Sequence, residues 1–184
     1  GPFTDRLPNA KYINSKNPFI NTDFQQPVNA MECPWGNVQL AIIYDSNRVQ
    51  DPPRNMQQLA IFVKQHPGKF TIGTDFTGMT FLKSLLIEIS GSRSELSGPF
   101  NQQKYGKYSA QLWDYINSIK PYFWKEGKTF PDAVAPMHQM FANGELDFTM
   151  SNNDGEVDNK VQQGLFPDSA RAYVLDSGTI QNSH

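Results

Sequence analysis

The sequence predicts an α/β fold: a three-layer sandwich with helices on both faces of a mixed, mostly parallel sheet. Three observations predict it. Short apolar, partly β-branched runs alternate with amphipathic helical stretches along most of the chain. Gly and Pro pairs punctuate the boundaries between them. The length of 184 residues and an apolar content of 38% suit one domain with a buried core.

The elements follow in order. Residues 1–34 are polar and rich in Pro and Asn, and predict an irregular lead-in with short strands at most. Val38–Tyr44 is apolar and reads as a buried strand. Asp51-Pro52-Pro53 breaks the chain, and Asn55 with Gln58 forms a capping-box pattern for a helix carrying Met56, Leu59, Ala60 and Val63. Pro67-Gly68 ends that helix, and Lys69–Gly73 reads as a short strand. Phe81, Leu82, Leu85, Leu86 and Ile89 recur at helical spacing after a turn at 73–78, and Gly91 stops the helix. After a polar loop over 91–104, Tyr108, Leu112, Tyr115, Ile116 and Ile119 mark another helix, which ends near Pro121. Val134–Phe141 predicts a shorter helix closed by Asn143-Gly144, and Leu146–Met150 a strand. A polar helix over about 154–163 and strands at Ala172–Leu175 and Thr179–Gln181 complete the series. The sequence contains neither an internal repeat nor a low-complexity tract.

Composition narrows the function classes. The net charge is −2 and the basic residues are dispersed, so there is no footprint for nucleic acid and no polybasic membrane patch. The single cysteine, Cys33, has no partner for an internal disulfide or a zinc motif, and reads as a small buried apolar residue. His66, His138 and His184 stand far apart, and no metal pair such as H-E-x-x-H is present. Nucleophile-elbow, dinucleotide and Walker patterns are missing as well. The sequence therefore predicts no enzyme, no cofactor, no metal and no catalytic residue.

Binding chemistry has better candidates. The turn Asp75-Phe76-Thr77-Gly78 follows a predicted strand and opens a helix, where backbone N–H groups and the helix dipole favour a polar or anionic atom. Thr77 adds a hydroxyl, and Gly78 permits close approach to the backbone. Asp75 repels an anion and suits a cation; plain helix capping by Asp75 or Thr77 is the competing explanation. Trp35-Gly36, before the first apolar strand, offers an indole for stacking or for packing on its own domain. Ser151-Asn152, after a strand, supplies short polar side chains that bond a ligand or cap a helix. Trp113, Tyr122 and Trp124 read as core and helix-docking surface.

These segments carry a family resemblance. Glu32-Cys33-Pro34-Trp35-Gly36-Asn37-Val38-Gln39, Asp51-Pro52-Pro53, His66–Thr71 and Asp75–Leu82 resemble the extracellular solute-binding proteins of ABC transporters, in the YnjB-like branch related to thiamine, iron and polyamine binders. Leu112–Tyr115, Pro121–Lys128, Phe130-Pro131, Gly144–Asp147 and Ser151–Asp154 fit the same branch in the same order. The resemblance implies a periplasmic binding protein-like II fold, with residues 1–184 as the second, inserted lobe of a two-lobe protein. The chain would begin just before the first crossover and stop at Asn182-Ser183-His184, with a signal peptide upstream. It implies a periplasmic monomer that captures a small solute between its lobes and delivers it to a membrane permease. Trp35, Gly36, Asp75, Phe76, Thr77, Gly78, Ser151 and Asn152 would line this lobe's half of the cleft. Iron-binding relatives use adjacent tyrosines, which this chain lacks. Asp75, Trp35 and Glu32 lean toward a thiamine-like compound or a polyamine. The alternatives are the effector-binding lobe of a LysR-type transcriptional regulator, which shares this architecture, and an enzyme on a related fold, for which the chain offers neither a nucleophile nor a dense set of arginines.

Overall fold

Proline and asparagine shape the opening of the chain into turns rather than long elements. The computed structural model describes residues 3–14, 16–23, 26–29, 31–32, 36–153 and 155–183. These fall into two units: residues 1–39 with 181–184, and residues 40–180.

In the first unit, 3-10 turns at Phe3–Arg6, Pro8–Tyr12 and Pro18–Asn21 lead into a two-stranded hairpin. Its strands β1 (Thr22–Asp23) and β2 (Gln26–Pro27) pair antiparallel, as expected of an irregular lead-in. The start of β3 (Asn37–Asp45) pairs antiparallel with the last strand (Gln181–Ser183) through Asn37↔Ser183 and Gln39↔Gln181. Asn182 donates to Asp23 Oδ1 at 2.7 Å, tying that strand to the hairpin.

The second unit is built on the rest of β3, whose residues alternate between the two faces of a sheet. It lies between β4 (Phe148–Asn153) and β5 (Ala170–Tyr173). β5 runs antiparallel to it, with Ile42 opposite Tyr173 and Asp45 opposite Ala170. Leu40 and Ile42 join the larger core, in which Phe70, Phe81, Phe123 and Phe148 meet edge to face or tilted, with centroids 5.3–6.0 Å apart. Ile43 points the other way, into a smaller core with Phe141, Phe166 and Ala170. Fully burying one such phenylalanine stabilises by about 1.5–3 kcal/mol.

Helices cover both cores, giving three layers. On the larger side lie α1 (Met56–Gln65), α2 (Phe76–Ser90) and α3 (Gln102–Ile119). On the smaller side lie α4 (Val134–Ala142) and α5 (Glu156–Gln162). The caps were legible. Asn55 Oδ1 accepts from Gln58 N at 2.9 Å, and Gln58 reaches back to Arg54 N at 2.7 Å. Glu88 of α2 supplies a second cap by accepting from Met56 N at 2.9 Å. Gly91 closes α2 at φ 80°, the left-handed conformation glycine adopts without steric cost.

Arg48 ties the end of β3 to the segment before β4. It donates to Asp45 Oδ2 at 2.9 Å, Leu146 O at 3.1 Å and Phe141 O at 3.0 Å. Burial raises the Asp45 carboxyl, but bonds from Ser169, Asn47 and Arg48 outweigh it and leave its pKa below the usual value. Burial also raises Asp147, and there Arg48, Lys69 and His66 only partly offset it.

Two expectations are corrected. Lys69–Gly73 is buried at Phe70, Thr71 and Ile72, but it is not a strand. Its backbone bonds go singly to separate loops: Lys69 O accepts from Asp147 N and Phe70 O from Trp124 N, so no ladder forms. Trp113 and Tyr122 are not core; they are 49% and 36% exposed, and it is Phe123, next to Tyr122, that is buried. Trp124 donates Nε1 to Glu145 at 2.6 Å and stacks under Lys125.

Candidate functional site

The polar groups singled out in the second unit converge where β4 ends and α2 begins. Asp75 is the N-cap of α2, with its Oδ1 accepting from Gly78 N at 3.0 Å. Its carbonyl accepts from Met79 N at 3.0 Å. Thr77, buried in the first turn of α2, accepts from Asn152 Nδ2 at 3.0 Å. That bond joins α2 to β4. Ser151 is buried beside it, and its hydroxyl accepts from Asn153 N at 3.0 Å. Asp75 caps α2, and the Asn152–Thr77 bond brings the end of β4 to that helix start; α5 begins at Gly155 with no side-chain cap.

Glycine is required at the back of this turn. A Cβ on Gly78 would lie 1.8 Å from Gly73 O, and one on Gly73 would lie 2.7 Å from Asp75 Oδ1. The close approach that Gly78 permits is therefore that of Gly73. In front of the turn, Phe76 is 55% exposed and Met79, one turn on, 50%. They set apolar surface beside the polar end of β4.

Sequence reasoning overlooked two residues at this site. His138, on α4, is buried and lies with Nε2 3.0 Å from Met150 O. Its Nδ1 lies 3.6 Å from Glu156 Oε1 at the start of α5. Burial lowers the His138 pKa, against the opposing pull of the Met150 carbonyl, Glu156 and Asp75; Lys160 adds to the lowering. The one signal was a polar turn, 151–155, leading straight to an acidic first helical turn.

Trp35 and Cys33 fall outside the described residues. Gly36 belongs to the first unit, just before β3; it is exposed, and a Cβ there would meet nothing within 4 Å. Among the described residues, no group of three His, Cys, Asp or Glu is arranged to hold a metal. No described helix is long and apolar enough to cross a membrane.

No protein-family model matches the chain. Protein YnjB of Escherichia coli K12 is 32% identical over 184 residues, covering 99% of this chain and 47% of YnjB. The chain is a YnjB homologue. Solved structures agree on the fold. The spermidine/putrescine ABC transporter substrate-binding protein PotD of Streptococcus pneumoniae superposes with a TM-score of 0.61 at 13% identity, over 90% of this chain and 44% of PotD. The TpPotD lipoprotein of Treponema pallidum gives 0.52 at 13% identity, over 79% and 40%. A periplasmic thiamin binding protein gives 0.50 at 18% identity, over 80% and 39%. The homologue has the fold of periplasmic solute-binding proteins, and spans about half the length of the relatives it matches.

Proposed function

We propose that the chain is one lobe of the substrate-binding component of an ABC-type importer. It captures a small solute in a cleft between two lobes and delivers it to a membrane permease, as a periplasmic monomer and not an enzyme. Residues 1–184 form the second, inserted lobe, with 1–34 as the lead-in at its crossover, on a type II arrangement with a mixed sheet. Homology to YnjB and likeness of fold to PotD and the thiamin binder support this reading, and do not favour a LysR-type effector lobe.

The observation that carries the site is the bond between Asn152 and Thr77, which sets polar side chains at the carboxyl end of a strand and the amino end of a helix. Asp75, Phe76, Thr77, Gly78, Ser151 and Asn152 are this lobe's wall of the cleft. Trp35 and Gly36 share that role on the family resemblance. Asp75 and the exposed Phe76 ring suit a solute with a positive charge and an apolar or flat body, such as a polyamine or a thiamine-like compound.

A thermal-shift screen of the full-length gene product tests this, with thiamine and its phosphates, polyamines, ferric chelates and small oxyanions. A solute at about 100 times its Kd adds about 2.7 kcal/mol of stability. A hit among the cations supports the reading. A hit only among the oxyanions contradicts the cationic solute, and no shift with any compound contradicts the receptor.

A further inference from the structure

His138 touches both ends of the segment that carries Ser151 and Asn152. Its Nε2 lies 3.0 Å from Met150 O, immediately before that segment. A carbonyl oxygen only accepts, so Nε2 bears the proton and the neutral ring turns a lone pair at Nδ1 toward Glu156. Nδ1 to Glu156 Oε1 is 3.6 Å. Glu156 Oε2 accepts from Asn153 Nδ2 at 3.1 Å, immediately after the segment. Asn153 N donates to Ser151 Oγ, and Asn152 between them donates to Thr77.

Among the described residues, the charged groups facing the ring come from two elements. Glu156 and Lys160 belong to α5, and Asp75 caps α2. β4 presents the Met150 carbonyl, and Phe166 packs edge-on at 5.2 Å. Lys160 Nζ stands 3.6 Å from the same Glu156 Oε1 that His138 faces. A proton arriving at Nδ1 therefore becomes a donor to that oxygen, in competition with Lys160, and draws on the carboxylate that holds Asn153.

We propose that His138 is a positioning residue for Ser151 and Asn152, acting through Met150 O on one side and Glu156 on the other, so that its protonation state sets the conformation of that segment. Only the solute readout rests on the proposed function; the clamp can be measured without a solute. An imidazolium here also adds positive charge beside Asp75, so a cationic solute binds less tightly when His138 is protonated.

The test is an NMR titration downward from about pH 8, carried below the ordinary histidine range for as long as the fold persists, because burial lowers the His138 pKa. It follows the His138 ring and the amides of Ser151, Asn152 and Asn153, in the wild type, His138→Gln and Glu156→Gln. Glutamine at 138 keeps an N–H for Met150 O but does not titrate. The three amides are expected to follow the His138 curve, to lose that titration in His138→Gln and to keep only part of it in Glu156→Gln. Amides that stay still while His138 titrates, or that titrate unchanged in either variant, overturn the proposal. Glu156→Gln decides the matter if His138→Gln does not fold. Spermidine affinity is expected to fall about fivefold on acidification in the wild type and to stay flat in His138→Gln. Spermidine binding that is flat in the wild type also overturns it. Absence of spermidine binding at every pH counts against the cationic-solute reading alone, and the amides then decide this one.

Discussion

Asn152, at the end of β4, donates its side-chain amide to Thr77 Oγ1, in the first turn of α2, at 3.0 Å. The two residues are 75 positions apart in sequence. The bond fixes a strand end against a helix start, which is where open α/β sheets gather ligands. Thr77→Val keeps the shape and removes the acceptor. It is expected to destabilise by about 1 kcal/mol in urea unfolding, because the half-buried Asn152 amide loses its partner.

Asp75 has two separable properties, a cap and a charge. Asp75→Ala loses the bond to Gly78 N and is expected to destabilise by about 1 kcal/mol. Asp75→Asn keeps the cap, since asparagine caps as well as aspartate, and should unfold at nearly the wild-type urea midpoint. Its affinity for a cationic solute is expected to fall all the same. Equal binding by Asp75→Asn and wild type would leave Asp75 with capping alone.

Gly78 shows how tightly this turn is packed. A methyl group there would lie 1.8 Å from Gly73 O, which is backbone and yields only by moving α2 or the segment before it. Gly78→Ala is expected to destabilise by about 3 kcal/mol. An alanine variant with unchanged urea stability would show that the turn opens freely.

Burial lowers the pKa of His138 below the usual histidine value of about 6.5. As the pH falls, the unfolded chain therefore takes up the proton first and gains relative to the folded state. The contribution is complete above the unfolded value and is lost as the pH falls through it toward the lower folded one. Urea midpoints measured from about pH 7 to about pH 5 should drop on acidification, and His138→Gln should flatten that part of the curve.

Local signals made most of the elements legible. Asn55 and Asp75 are the caps their sequence context implies, and Gly91 is the stop. The Phe81–Leu85 face of α2 is buried as its spacing demands. What failed was non-local. Lys69–Gly73 has a strand's composition, but its backbone partners are Trp124 and Asp147 on separate segments, which no local pattern announces. Trp124 reads as core and docking surface with Trp113 and Tyr122, but it is only partly buried, with Glu145 and Lys125 beside it. The candidate site was half legible: Asp75–Gly78 and Ser151-Asn152 each stood at a helix start, but nothing local joined them. His138 looked isolated because Met150 and Glu156 reach it only through the packing of β4 and α5 against α4.

The most direct measurement is a calorimetric titration of spermidine and of thiamine into the full-length protein and its Asn152→Ala variant. The expected result is one-to-one binding of at least one of the two, weakened about tenfold or more when the Asn152 side chain is removed, a difference of about 1.4 kcal/mol. No heat of binding from either compound, or equal affinity in the variant, would contradict a cationic solute held at the meeting of β4 and α2.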